Sequence, residues 1–127
     1  MNNRELINYR LERAKDTILE AEKMAEMEHW NTCINRLYYA CFYAVNALLA
    51  ANELFSTKHS GVMGLFNLHF IKTGIIQKSS GRLFKKLFIY RQQSDYEDFF
   101  TVDGTDILPL ITQTKKFVSS IETILQL

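Results

Sequence analysis

With 127 residues, 47% hydrophobic and 23% charged, the chain has the size and composition of one folded domain, which argues against a disordered resting state. One proline and five glycines disfavour a turn-rich β fold and suit long, uninterrupted helices. The net charge of +1 excludes little, because the charges are segregated along the chain.

Residues 3–27 predict a long amphipathic helix, with Leu6, Arg10, Ala14, Thr17, Ala21 and Met24 at three-four spacing. A break follows near Glu28, and Asn31 or Thr32 is the expected cap of a second helix over 32–52. From Ile34 to Ala51 the only polar side chains, tyrosine hydroxyls apart, are Asn35, Arg36 and Asn46. A helix so apolar on all sides belongs at the centre of a bundle or in an interface. Tyr38, Tyr39, Phe42 and Tyr43 are too many rings for one stripe, and they are the expected contacts to a second chain or a pocket.

Residues 53–58 read as a loop in which Ser56 or Thr57 caps a third helix, about 59–72, with Val62, Leu65, Phe66 and His69 on one face. A linker containing Gly74 leads to a fourth helix, about 80–95, whose buried face is Leu83, Phe84, Leu87 and Phe88. Asp103-Gly104 marks a turn before the last helix, which is expected from Asp106 with Pro109 in its first turn. The expectation is an all-α fold in a single domain, 1–127. Its architecture is a five-helix up-and-down bundle, four long helices plus a shorter one.

No apolar run reaches the ~20 residues of a membrane span, and the N-terminus lacks an apolar signal core. The expected location is cytoplasmic. Cys33 and Cys41 match no zinc or redox spacing, and the three histidines, His29, His59 and His69, lie far apart. No metal site and no cofactor is expected. There is no Gly-rich phosphate loop and no nucleophile elbow. His59 stands beside Lys58 at a helix start, where outward-pointing amides favour anions. An anion site and an ordinary helix cap are both open readings there.

Between Phe55 and Ser94 there is no acidic residue, while the next five charges, Asp95, Glu97, Asp98, Asp103 and Asp106, are all acidic. The basic block suits phosphate, or a solvated face balanced by the acidic first helix. Within it Arg91 lies beside the buried stripe of the fourth helix, and Asp95, four residues on, can pair with it. An arginine held by a carboxylate against an apolar face anchors a phosphate or an interface. Tyr96 follows and is expected to offer its hydroxyl to the same place. The plainer alternative is an ion pair that rigidifies the helix end.

Three segments in order carry a resemblance: Asn35-Arg36-Leu37-Tyr38-Tyr39-Ala40-Cys41-Phe42-Tyr43-Ala44, then Thr57-Lys58-His59-Ser60-Gly61-Val62, then Arg91-Gln92-Gln93-Ser94-Asp95-Tyr96. Together they resemble the HEPN domain family, in a branch with an Arg-x-x-x-Asp-Tyr ending. The resemblance implies a five-helix fold that usually dimerises. It also implies metal-independent ribonuclease activity as a toxin, or partnership with a small nucleotidyltransferase in a toxin–antitoxin pair. The ribonuclease members carry an Arg and, four to six residues later, a His facing a dimer cleft. Arg91 matches that arginine, whereas Tyr96 stands at the histidine position and no histidine follows His69. Histidine titrates near ~6.5 and tyrosine near ~10, so Tyr96 is a poor substitute for moving protons. The leading expectation is therefore a homodimeric module binding RNA or a nucleotide, or a nucleotidyltransferase partner, through Arg91, Asp95, Tyr96, Lys58 and His59. The alternatives are a divergent ribonuclease toxin and a structural dimer with a vestigial cleft.

Overall fold

The computed structural model describes residues 3–126. Five α-helices follow one another: α1 (Asn3–Glu26), α2 (Trp30–Ala51), α3 (His59–Phe66), α4 (Lys78–Tyr96) and α5 (Gly104–Leu125). A π-helical turn, Asn67–Ile71, prolongs α3, and no strand occurs among the described residues. The all-α bundle of four long helices and one short one is thus the one expected.

Helix α2 is the central element, packed on α1, α4 and α5. Its buried residues, from Cys33 and Ile34 to Leu48, Leu49 and Ala50, spread around the helix, as its nearly continuous apolar sequence dictates. Helix α1 covers it with Ile7, Leu11, Ala14, Ile18 and Ala21. The stripe begins at Ile7, so Arg10 is only half-buried, and its Nη1 donates to the Asn46 carbonyl oxygen at 3.0 Å. Phe66, Phe84 and Phe117 form a triangle with ring centroids 5.7, 5.7 and 6.0 Å apart, tying α3, α4 and α5 together. Aromatic contacts of this kind add to the area that each ring buries.

Three local expectations differ from the structure. The residue preceding α2 is His29, with no side-chain cap, so neither Asn31 nor Thr32 fills that role. His69 was expected on the buried face of α3, yet it is exposed. The π turn carries one extra residue, which rotates the following side chains and gives the buried position to Phe70. Helix α5 starts earlier than Asp106 because Asp103 is its N-cap, with Oδ1 accepting from the Thr105 amide at 2.9 Å. Pro109 therefore lies in the second turn. Its missing N–H leaves the Thr105 carbonyl without a helical donor, and both residues are exposed to water.

A candidate arginine–histidine site on an aromatic platform

The site grows out of the core at Tyr38. This ring is 0% exposed and stacks on Phe84 at 5.8 Å, one vertex of the phenylalanine triangle. Its hydroxyl points away from the core and lies 2.7 Å from His59 Nδ1. A phenol fixed by packing on one side thereby orients an imidazole on the other. The His59 ring also lies nearly parallel to Phe42, centroids 4.5 Å apart.

The loop before α3 delivers His59 by local chemistry. Ser56 Oγ accepts from the Lys58 amide at 3.2 Å, which closes the turn. A Cβ on Gly61 would collide with Ser56 Oγ, so that position takes glycine because the loop folds back onto the helix. Of the two capping candidates, Ser56 thus organises the approach, while the cap position itself is Lys58 with no side-chain cap.

Arg91 enters from α4. Its guanidinium carbon lies 5.5 Å from the Tyr38 ring centroid and 5.4 Å from that of Tyr39. The His59 ring meets the same two rings, at 5.7 and 6.0 Å. Arg91 and His59 therefore share one platform although they are 32 residues apart in sequence (91 − 59). Arg91 Nε is 3.2 Å from Asp95 Oδ2, an ion-pair distance. Its N–H is not aimed at the carboxylate, and this buried atom has no hydrogen-bond partner. Asp95 thus holds Arg91 by charge rather than by an aligned hydrogen bond.

A second arginine completes the positive face. The Arg36 guanidinium carbon lies 5.4 Å from the Tyr39 ring, the same distance as that of Arg91. Arg36 is oriented by Asn35 Oδ1, which accepts from Nη2 at 2.7 Å, and by Glu20 Oε1, which accepts from Nη1 at 3.2 Å. Arg36 was not among the site residues expected from the sequence. The available signal was that Arg36 is the one charged side chain between Ile34 and Ala51.

The electrostatics follow from this geometry. Burial and then the nearby Arg91 charge depress the His59 pKa below its ordinary value. Burial pushes the Tyr38 phenol well above the usual tyrosine range, so it stays protonated. The imidazole is accordingly neutral near neutral pH. When Nδ1 carries the proton and donates it to the Tyr38 oxygen, Nε2 presents a lone pair; the opposite tautomer presents an N–H there. Nε2 makes no hydrogen bond among the described residues.

The structure brings together Arg91, Asp95 and His59 of the expected site residues. Lys58 is exposed beside His59 at the start of α3. Tyr96 does not join them. Helix α4 continues through Tyr96, five residues beyond Arg91, which turns its side chain about 140° around the axis. It is 76% exposed. Of the four aromatic residues expected at an interface, Tyr38 is instead fully buried inside this chain. The other three are partly exposed, and each has an intrachain partner: Tyr39 the two arginines, Phe42 the His59 ring, and Tyr43 a hydrogen bond from Arg13 Nη2 at 2.7 Å. Among the described residues no cluster of His, Cys, Asp and Glu is arranged to hold a metal ion. No helix is long and apolar enough to cross a membrane.

The fold and site define a class: a compact helical bundle that gathers arginines and a histidine on a tyrosine platform beside α4. The chain belongs to the HEPN domain family, whose model matches residues 7–124. It is similar to a Thermotoga maritima protein named "UPF0332 protein", 34% identical over 99% of this chain and 96% of that one. Two Methanocaldococcus jannaschii proteins are also similar. "Putative toxin MJ0142" is 33% identical over 68% of this chain and 59% of its own length. "Putative toxin MJ0605" is 33% identical over 73% of this chain and 69% of its own.

Proposed function

We propose that the chain is a toxin-type HEPN module that takes an RNA phosphate at the Arg91–His59–Arg36 face. The observation that carries this reading is the convergence of Arg91 and His59 on the rings of Tyr38 and Tyr39. Two guanidiniums supply forked donors that match phosphate oxygens, and the partly exposed Tyr39 ring offers a face to a base. Removing Arg91 deletes a charge-assisted contact of about 1.5 kcal/mol or more, so Arg91→Ala is expected to weaken RNA binding at least ~10-fold. Fluorescence anisotropy with a labelled single-stranded RNA reads this directly. Equal binding by wild type, Arg91→Ala and His59→Ala overturns the assignment.

A second reading, metal-independent cleavage of the bound RNA, is favoured by one specific observation. A neutral histidine, oriented by a buried phenol, stands beside an arginine. His59 Nε2 would accept the proton of a ribose 2′-OH as that oxygen attacks the adjacent phosphorus, closing a 2′,3′-cyclic phosphate while the P–O5′ bond breaks and the leaving 5′-oxygen takes a proton from water. Arg91 would offset the charge that builds on the phosphoryl oxygens. The fold then supplies from α3 the histidine that α4 lacks. Incubation with RNA in the presence of a chelator tests it. Cleavage that is absent in wild type, or that persists in His59→Ala, removes the reading and leaves binding intact.

A further inference from the structure

The first turns of α4 and the second half of α5 do not close on each other. Between them lies a cleft of about 640 Å³, bordered at one end by Ile75 and Ile76 of the linker before α4. Its base is Leu83 and Phe117, both buried. Phe117 belongs to the triangle of phenylalanines, so the base is continuous with the core and is fixed by it. Ile75 stands at the border and is 57% exposed, an apolar side chain that buries little in the isolated chain. Small-molecule sites are concave, run to about 300–1,000 Å³, and combine apolar walls with a few polar groups that fix orientation. The cleft has that size and that division.

Its rim carries one sign of charge. Lys116 is the single charged residue lining the cleft, and no Asp or Glu borders it. The neighbouring charges of α5 are committed to the other side: Lys115 pairs with Glu22 and Glu122 with Lys15, both on α1. Lys116 forms no ion pair among the described residues. The hydroxyls differ between the two walls. On α5, Ser120 and Thr123 donate to the Phe117 and Ser119 carbonyl oxygens at 2.8 and 3.0 Å, so they present only lone pairs to the cleft. On α4, the Ser80 hydroxyl has no hydrogen-bond partner among the described residues and keeps its proton for a ligand. Gln77, the residue before α4, gives the helix no side-chain cap, so the helix start adds positive potential on the same wall. Lys116 and Ser80, one from each helix, are therefore the donors that an anion in the cleft would meet.

We propose that this cleft binds a small monocarboxylate with an apolar body. The carboxylate lies between Lys116 and Ser80, and the body lies on Leu83 and Phe117 under Ile75. The charge pattern selects this ligand. One lysine with no facing acid matches one negative charge. A cationic ligand would meet Lys116 with nothing to offset it. RNA gains its affinity from many phosphates neutralised in a row, and the cleft offers a single cation. A fully polar anion would leave the apolar base and Ile75 uncovered. About three turns of α4 separate Ser80 from Arg91, so the inference goes beyond the RNA-binding reading and stands without it.

The test is an amide NMR titration of the isotope-labelled chain with decanoate, kept below its micelle-forming concentration. Saturable shifts are expected at Ser79, Ser80, Leu83, Lys116, Phe117 and Ser120. Lys116→Gln changes an exposed side chain, leaves the fold intact, and is expected to weaken decanoate binding at least ~10-fold. Ser80→Trp fills the cleft from its α4 wall and is expected to abolish binding. Acetate has the head without the body, and decyltrimethylammonium has the body with the opposite charge; neither is expected to saturate these amides. Arg91→Ala is expected to bind decanoate as wild type does, which separates this cleft from the RNA site. The absence of saturable shifts in wild type overturns the proposal. So does equal binding by Lys116→Gln, or by acetate or the cationic amphiphile in place of decanoate. Shifts centred instead on Arg82, Lys85 and Ile89 place the chain on the outer face of α4 and equally overturn it. An RNA oligonucleotide that displaces decanoate from the same amides assigns the cleft to nucleic acid, with the same consequence.

Discussion

Tyr38→Phe isolates the hydrogen bond on which the site's orientation rests. The substitution removes one oxygen and keeps a ring that packs against Tyr39, Phe42, Phe84 and Phe88 with centroids 5.1–5.9 Å away. The core loses no carbon and gains no cavity larger than a hydroxyl. The cost is the 2.7 Å bond between the hydroxyl and His59 Nδ1. A net hydrogen bond is worth about 0.5–1.5 kcal/mol. His59 is only half-buried, so water can reach its freed nitrogen and the full desolvation penalty is avoided. The expected loss is about 1 kcal/mol, which is about 3–5 °C in melting temperature for a domain of this size. The assay is urea unfolding of a double-mutant cycle: wild type, Tyr38→Phe, His59→Ala and the pair. The slope with denaturant should not change. The cycle should return a coupling of about 1 kcal/mol, while the His59→Ala single also reports lost stacking on Phe42. A coupling under about 0.3 kcal/mol would falsify the claim that this bond orients the imidazole.

Arg91→Gln removes the positive charge that, after burial, depresses the His59 pKa, so that pKa should rise towards its ordinary value; an NMR titration that finds it unmoved refutes the placement of Arg91. Because folding lowers the His59 pKa, the unfolded chain binds more protons below about pH 6.5, and this residue's stabilisation is present above that pH and lost as pH falls towards the folded pKa. Stability of wild type minus that of His59→Gln, measured by urea unfolding from pH 8 to 5, should decline in that direction; a difference that grows on acidification contradicts the burial. A Cβ on Gly104 would run into the Trp30 ring, so Gly104→Ala should displace that ring and cost about 1–3 kcal/mol. Trp30 is the single tryptophan, and an emission spectrum identical to wild type would show that the ring had not moved.

The bundle was legible because its signals are periodic and repeated. The apolar run of α2 and the three-four stripes of α4 and α5 each state a buried face many times over. The π turn after Phe66 was not legible, since a single extra residue leaves no compositional mark, and it moved His69 out and Phe70 in. The site was half legible for a related reason. Arg91 and Asp95 are neighbours on one helix, so spacing alone pairs them. The resemblance puts the histidine position further along the same helix, where Tyr96 stands. A helix cannot bring positions five apart onto one face, so Tyr96 was a weak candidate on geometry as well as on acidity. What joins Arg91 to His59 is tertiary. Phe84 in α4 stacks on Tyr38 in α2, which sets the ring, and the ring's hydroxyl sets the imidazole at the start of α3. Three elements must be packed before those two residues meet, and no linear spacing encodes that. The sequence bias that was available lies in α2, where an arginine and adjacent tyrosines interrupt an otherwise apolar helix. Arg36, Tyr38 and Tyr39 are the residues on which the site is built, so the polar exceptions within the most buried helix pointed to the chemistry more directly than the charged end of α4.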